Sequence, residues 1–207
     1  MEPLKTFSVQ DQEKESIAER FADRLAGGGE PIRDLSQARK DRIQQLLATV
    51  RSDWWSESWW GRNHIEEFLA SEEGVAKCDP RLLELHRKFL SFGGSETCLP
   101  IKEPDLHDIL DYGQLWLGDR ALLRKGRDNQ CHGNSCAFYM RDQDKRELTI
   151  ATGYALSKDG IWRQHSWLLW KRPKTVTVIE TTVRRVLYFG YAMTEKQAEK
   201  FCEECLW

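Results

Sequence analysis

Residues 147–172 read ELTIATGYALSKDGIWRQHSWLLWKR, a stretch rich in the β-branched and aromatic residues that favour β-strands. The run is interrupted by Ser157-Lys158-Asp159-Gly160, which contains Asp-Gly, a dipeptide typical of tight hairpin turns. The stretch therefore predicts two antiparallel strands, one from Glu147 to Leu156 and one from Ile161 to Lys171.

Two more strand-like runs and a helix follow this hairpin. Thr175 to Thr182 and Arg185 to Ala192 are again rich in β-branched and aromatic residues, and Arg172-Pro173-Lys174 forms a second tight connection. Thr194 to Cys205 has helical character, with Thr194 as its N-cap. The four strands together predict one antiparallel meander.

The first 125 or so residues predict mainly helices, because apolar residues recur at helical spacing. The predicted helices are one containing Ile17, Phe21 and Leu25, one after Pro31 containing Ile43, Leu46, Leu47 and Val50, one from Ser52 or Asp53 containing Ile65, Phe68 and Leu69, one after Asp79-Pro80, and one from Asp105 to Leu123. A loop is expected around Gly93-Gly94 and Pro100, and a short helix from Cys131 to about Arg141.

This order of elements predicts an α+β fold. Residues 1–125 would form a helical N-terminal layer, and residues 126–207 a Cys-bearing helix followed by an antiparallel sheet. We expect the two parts to make one domain, because 207 residues suit a single domain and can bury a core without disulfide bonds.

Charge and composition argue against several classes of partner. The net charge is −2 and the pI about 6.2, so the chain lacks the basic bias expected for binding nucleic acid or an anionic membrane. We read no signal peptide at the N-terminus and no stretch near the roughly 18 apolar residues of a membrane span. We therefore expect a cytoplasmic protein with reduced cysteines, although an unconventional secretion signal would escape this reasoning.

Three residues have the order and context of a thiol active site. Cys131 stands at the start of a predicted helix, where the helix dipole favours a thiolate and free backbone N–H groups can bind an oxyanion. The preceding Asp128-Asn129-Gln130 is expected to act as a capping loop. His165 lies in a strand, and Glu180 lies in the next strand.

The position of Glu180 is the most informative of the three. Val176, Val178 and Glu180 alternate on one strand face, so the carboxylate is expected to be partly buried and to need a partner. His165 lies within reach, because neighbouring strands are only about 4.8 Å apart. Glu180 bound to one ring nitrogen would leave the other nitrogen facing Cys131.

Cys131 in NQCHGNSC, His165 in RQHSW and Glu180 in VIETT together resemble the papain-like cysteine hydrolase superfamily over roughly Asp128 to Ala192. The resemblance lies in chain order: a helix-borne cysteine, a strand-borne histidine, then an acidic or amide residue on the following strand. It implies a papain-like fold and a peptidase, transglutaminase-like or deamidase activity. The peptidase string C-G-x-C-W is absent, and no glutamine lies between Leu123 and Arg127, where papain-like peptidases carry an oxyanion glutamine.

These observations predict a cysteine hydrolase that acts on an amide bond through a thioester, with Cys131, His165 and Glu180 as a catalytic triad. The residues expected to bind the oxyanion or substrate are Asn129, Gln130, His132, Gln164 and Trp167. The substrate would be a protein or peptide, and no cofactor or metal is required. Hydrolysis, deamidation and transfer remain open, as does the oligomeric state. Ordinary structural roles remain open too, with Glu180 as a salt-bridge partner of Arg163 or Arg184.

The alternative function is a non-catalytic protein-binding module with a Trp-rich surface. Its surface would combine the tryptophans of the third predicted helix with those of the hairpin, namely Trp54, Trp55, Trp59, Trp60, Trp162, Trp167 and Trp170. Two further clusters are interpreted as structural. Cys202-Glu203-Glu204-Cys205 lacks a good second pair of zinc ligands, and Asp105, His107, Asp108 and Asp111 have the charge density of an ordinary helix surface.

Overall fold

A computed structural model describes residues 36–50, 64–142, 147–173 and 175–206. Within these ranges the helices are α1 (Gln37–Leu47), α2 (His64–Ala70), α3 (Glu72–Lys77), α4 (Arg81–Phe92), α5 (Leu106–Tyr112), α6 (Cys131–Arg141) and α7 (Glu195–Leu206). The strands are β1 (Glu96–Cys98), β2 (Gln114–Leu117), β3 (Leu122–Leu123), β4 (Leu148–Leu156), β5 (Ile161–Arg172), β6 (Thr175–Glu180) and β7 (Leu187–Ala192). The α+β class is confirmed.

The sheet is mixed rather than antiparallel. Its strand order is β2-β7-β4-β5-β6-β3, with β1 paired to β5 outside this path. The β1–β5 and β3–β6 pairs are parallel, and the other pairs are antiparallel. The predicted meander is therefore correct through β4, β5 and β6 but wrong for β7, which returns to lie beside β4.

Two local features direct β7 to this position. The Val186 N–H donates to the Leu156 carbonyl at 2.8 Å, which brings the incoming chain to the end of β4. Gly153 and Gly190 are register partners, and a Cβ on Gly190 would lie only 2.0 Å from the Thr152 carbonyl oxygen. The glycine pair thus permits a close approach of backbones that larger residues would prevent.

The sheet is strongly curled. The Trp116 ring on β2 lies 5.5 Å from the Trp167 ring on β5, although β7 and β4 separate their strands. Three strand spacings of a flat sheet would span about 14 Å. Curling therefore brings side chains from strands that are not neighbours together on the concave face, where Trp116, Trp167 and Tyr188 form part of a small core.

The larger core lies on the opposite face, between the sheet and the helices. Phe89 of α4 stacks on Trp162 with 5.0 Å between ring centroids, and it also contacts Tyr154 and Phe189. This cluster extends from Ile43 to Cys202. One continuous core therefore includes residues from both the N-terminal and the C-terminal part of the chain.

Strand β5 is paired differently along its two edges. On one edge, β4 pairs it continuously from Trp162 to Trp170. On the other edge, β1 pairs Ile161–Arg163 and β6 pairs Leu168–Arg172. Among the described residues, positions 164–167 have no strand partner on that second edge, and His165 lies at this interruption.

The predicted helix from Asp105 to Leu123 is wrong beyond Tyr112. The chain turns at Gly113, where a Cβ would lie 2.4 Å from the Phe189 ring, and then continues as β2 and β3. In β2 the side chains alternate between the two faces of the sheet: Leu115 enters the larger core and Trp116 the smaller one. Residues 1–125 are therefore not purely helical.

Other predictions in the N-terminal part have mixed outcomes. The helix after Pro80 is confirmed as α4, whereas the loop predicted around Gly93-Gly94 and Pro100 also contains β1. Helix α3 was not predicted; Ser71 caps it by accepting from the Gly74 N–H at 3.1 Å. The helix around Ile17 and the Trp54–Trp60 cluster lie outside the described residues. None of the described helices has the length and apolar character needed to cross a bilayer.

Candidate active site

The loop before Cys131 is fixed by the side chain of Asn134. Its Oδ1 accepts from the Arg127 N–H at 2.9 Å, and its Nδ2 donates to the carbonyls of Arg127 at 2.7 Å and Thr181 at 3.3 Å. The Gly126 N–H also donates to the Thr181 carbonyl at 2.8 Å. These bonds tie the start of α6 to the end of β6, the strand that carries Glu180.

The predicted capping loop at Asp128-Asn129-Gln130 is not a side-chain cap. Gln130 occupies the N-cap position, and its side chain makes no capping hydrogen bond. Asn129 adopts a positive φ of 57°, which turns the chain sharply into α6. The first N–H groups of α6 therefore lack a side-chain acceptor from Gln130 and are suited to binding an anion.

Cys131 is a half-buried free thiol at the first position of α6. Burial by itself would raise the pKa of this thiol, but hydrogen bonds with His132 and His165 outweigh that effect and lower the pKa to about 5. The thiolate is thus the stable form of Cys131 at neutral pH, and it is the form that attacks carbonyl groups.

His165 lies between the thiol and Glu180. Its ring is buried, and Nε2 lies 2.9 Å from Glu180 Oε2, so Nδ1 is the nitrogen left for Cys131. Burial would lower the pKa of this histidine, yet the Cys131 and Glu180 contacts together raise it above its ordinary value. The two opposite shifts favour a thiolate on Cys131 beside a protonated His165.

Glu180 is fully buried and satisfied at both oxygens. Oε1 accepts from the N–H groups of Thr181 at 2.8 Å and Thr182 at 2.6 Å, and from the Thr182 hydroxyl at 2.9 Å. Oε2 accepts from the Tyr188 hydroxyl at 2.8 Å as well as from His165. Burial opposes ionisation, but His165 and these donors lower the pKa of Glu180 to about 2.

Tyr188 reaches Glu180 because the sheet is curled. Strand β7 is separated from β6 by β4 and β5, yet the two side chains meet on the concave face. Sequence reasoning missed Tyr188 as well as Thr182 and the locking role of Asn134. A buried carboxylate predicts additional donors, but only the curvature shows which residues supply them.

His132 also forms a hydrogen bond with Cys131, and it contacts β5 on the face opposite to the one that carries the His165 side chain. Its Nδ1 lies 2.7 Å from the Ser166 hydroxyl, and its ring packs edge-on against Phe201 of α7 at 5.6 Å between centroids. Ser166 and His165 are consecutive strand residues, so they point to opposite faces of β5. Both histidines nevertheless meet at the Cys131 sulfur.

The remaining predicted substrate-contact residues are divided by exposure. Asn129, Gln130 and Gln164 are exposed, and Gln164 Nε2 lies 3.5 Å from Glu103 Oε2. Trp167 is completely buried and lies nearly parallel to the His165 ring at 6.2 Å, so it is placed to support that ring from behind rather than to contact a substrate.

The salt-bridge alternatives for Glu180 are not observed. Arg163 pairs with Asp159 at 2.8 Å, and Arg184 is exposed. Cys136 is a core residue, as predicted, and Cys202 is buried as well. No group of three or more metal-ligating side chains occurs in the described part of the chain, which includes the Cys202–Cys205 and Asp105–Asp111 clusters.

The tryptophan surface of the alternative function is only partly available. Trp162 and Trp167 are fully buried, whereas Trp170 is half-buried and donates to Glu147 at 2.9 Å. The hairpin therefore cannot supply the exposed aromatic surface expected of it.

No protein-family model, curated protein or solved structure matches this chain.

Proposed function

We propose that the protein is a cysteine hydrolase that acts on an amide bond, with Cys131, His165 and Glu180 in a papain-like arrangement. The observation that supports this most strongly is a thiol at the start of α6 beside a buried histidine whose Nε2 lies 2.9 Å from a buried carboxylate, an arrangement that lowers the pKa of the thiol to about 5. Perturbed pKa values of this kind are typical of functional sites, because a structural thiol has no need of ionisation.

In the first half of the proposed reaction, the Cys131 thiolate attacks the substrate carbonyl. The N–H groups at the start of α6 stabilise the oxyanion that forms. His165 donates the Nδ1 proton to the departing nitrogen as the carbon–nitrogen bond breaks, and a thioester remains on Cys131. Glu180 holds the ring through Nε2 and stabilises its positive charge until the proton leaves.

The substrate class that fits is a peptide bond or a glutamine side chain. Asn129, Gln130 and Gln164 are exposed polar residues close in sequence to Cys131 and His165, and their amides can bind peptide groups of a protein substrate. This chemistry needs no cofactor.

Alkylation by iodoacetamide tests the nucleophile, with Cys98 as an internal reference. Cys98 is exposed at the surface, although its sulfur atom is partly buried, and this partial burial raises the pKa of the thiol above its ordinary value. We expect the Cys131 alkylation rate to rise with pH through about pH 5, where its thiolate forms. Cys98 should react only in alkaline solution. Peptide mass spectrometry gives both rates from one sample.

His165→Gln is the matched variant for this experiment. It should move the Cys131 profile to higher pH and leave the Cys98 profile unchanged, because only Cys131 contacts the imidazole. Equal reactivity of the two thiols at mildly acidic pH would contradict the proposal, as would a profile unaffected by the substitution.

A comparison of wild type with Cys131→Ala identifies the reaction. Candidate proteins treated with each form are analysed by mass spectrometry. New chain ends indicate proteolysis, and the mass change of an amide converted to an acid indicates deamidation. Identical products from both forms would show that Cys131 is not the nucleophile.

A further inference from the structure

The site contains a second histidine whose orientation is fixed independently of Glu180. Ser166 is fully buried, and its hydroxyl lies 2.7 Å from His132 Nδ1 and 3.0 Å from the Thr152 hydroxyl. Phe201 packs against the ring edge-on. The hydrogen bond to Ser166 and the ring contact with Phe201 together hold the His132 ring in position beside Cys131.

The Ser166 contact fixes the tautomer of His132. The Ser166 hydroxyl has one proton, which it donates to Thr152 Oγ1. Its oxygen then accepts from the Nδ1–H of His132, so Nε2 is the ring nitrogen on the side of Cys131. Once the sulfur is acylated and no longer accepts a hydrogen bond, the Nε2 lone pair can take a proton from water. His165 has the reverse arrangement, with Nε2 bonded to Glu180 and Nδ1 available.

The two histidines also differ in access to solvent. His165 is only 2% exposed, whereas His132 is half-buried. A water molecule that attacks a thioester must approach from solvent, and His132 is the accessible imidazole.

We propose that His132 is the general base of the second half-reaction, an inference that rests on the proposed thioester chemistry. Nε2 of His132 removes a proton from water while the water oxygen attacks the thioester carbonyl. The carbon–sulfur bond then breaks, the electron pair returns to Cys131 as thiolate, and the acid is released. His132 finally gives its proton to solvent and His165 takes one up from solvent, which restores the thiolate of Cys131 beside a protonated His165.

The test separates the two half-reactions with p-nitrophenyl acetate, an activated acyl donor. Wild type should release a burst of p-nitrophenolate as Cys131 becomes acetylated, followed by slower turnover. His132→Gln should keep the burst and lose turnover by on the order of 100-fold, since general-base catalysis typically contributes at least that much. Intact-mass analysis should show accumulated acetyl-enzyme, and added imidazole should restore turnover.

Two variants complete the design. Ser166→Ala keeps the His132 ring but removes the acceptor that fixes its tautomer, so it should slow turnover less than His132→Gln, again with the burst intact. It also serves if His132→Gln fails to fold. His107→Gln changes an exposed histidine that pairs with Asp111, and it should match wild type in both phases.

The outcomes distinguish the two proposals. A wild type without a burst overturns the proposed function. A normal burst with turnover unchanged in both His132→Gln and Ser166→Ala overturns the role of His132 and leaves the proposed function standing. Loss of the burst in a folded His132→Gln assigns the ring to the first half-reaction, which also overturns this inference.

Discussion

The Glu180 carboxylate receives three hydrogen bonds at Oε1 and two at Oε2. The two oxygens are not equivalent, because Oε1 depends mainly on backbone N–H groups while Oε2 depends on two side chains. Only Oε2 contacts His165. Loss of a donor to Oε2 should therefore lower stability and Cys131 reactivity more than loss of a donor to Oε1.

Tyr188→Phe should destabilise the protein by roughly 1.5–3 kcal/mol, the value of a hydrogen bond to a charged group. It should also reduce Cys131 alkylation at mildly acidic pH, because Glu180 would hold the His165 imidazolium less firmly. Thr182→Val is the matched control: Oε1 keeps two backbone donors, so the loss should be under about 1 kcal/mol. Urea unfolding measures the stability of each variant, and alkylation measures the reactivity of Cys131. Equal losses in the two variants would show that the donors to Oε1 and Oε2 matter equally.

At the scale of elements, α6 is the part whose placement decides the geometry of the site. Its start is tied to β6 by Asn134 and by the Gly126 backbone. Gly126 lies so close to Asn134 that a Cβ would be 2.4 Å from its amide carbon. By contrast, the nearest atom to a Cβ on Gly133 would be the Cys205 carbonyl oxygen at 3.9 Å.

Alanine substitutions at these two glycines should change the stability of the protein in opposite directions. Gly126→Ala should displace the Asn134 side chain from its hydrogen bonds with Arg127 and Thr181, and it should lower both stability and Cys131 reactivity. Gly133→Ala should stabilise the protein by roughly 0.5–1 kcal/mol, since alanine favours helix over glycine and space is available. Thermal unfolding and alkylation rates provide the measurements. If Gly126→Ala is as stable and as reactive as wild type, the hydrogen bonds of Asn134 do not position Cys131.

The elements predicted correctly from sequence are those with local signals. Asp159-Gly160 marks the β4–β5 turn, and the strand-like composition on either side locates both strands. Strands β1, β2 and β3 have two to four residues each, so their patterns are too short to recognise and depend on distant partners. Strand β7 was predicted, but its position beside β4 was missed because the pairing depends on a partner about 35 residues earlier in the chain, roughly the separation of the register partners Gly153 and Gly190.

The candidate site also contains contacts that local sequence patterns predict and contacts that depend on distant parts of the chain. Glu180 could be paired with His165 because alternation along one strand and the spacing between neighbouring strands are local rules. Tyr188 could not be identified, because its contact with Glu180 requires the curvature of the whole sheet. Trp167 was expected to contact substrate, yet curling encloses its face of β5.

At the scale of the whole molecule, the larger core contains an ionisable group that should make stability depend on pH. His86 of α4 is fully buried, and its Nδ1 lies 2.8 Å from the Thr97 hydroxyl of β1. Its Nε2 has no hydrogen-bond partner among the described residues. Burial lowers the pKa of His86 below its ordinary value of 6.5.

The sign of the resulting effect follows from proton uptake. In acid the unfolded chain binds a proton at His86 more readily than the native protein does, so stability falls as pH drops below about 6.5. His86→Gln should remove part of this loss, by roughly 1 kcal/mol between about pH 7.5 and about pH 5. Urea midpoints at the two pH values, with His107→Gln as the exposed control, measure it. An identical fall in His86→Gln and wild type would show that another group is responsible.

The location of Tyr188 in the last strand has a consequence for synthesis on the ribosome. Strand β7 lies between β2 and β4, and it supplies one of the two donors to the Glu180 oxygen that holds His165. A nascent chain that has exposed Cys131, His165 and Glu180 but not yet residues 187–192 lacks this strand and cannot close the sheet around the carboxylate. The hydrogen bonds around Glu180 are therefore complete only after residue 192 has been translated and β7 has paired with β4, so Cys131 does not reach its full proposed reactivity earlier in synthesis.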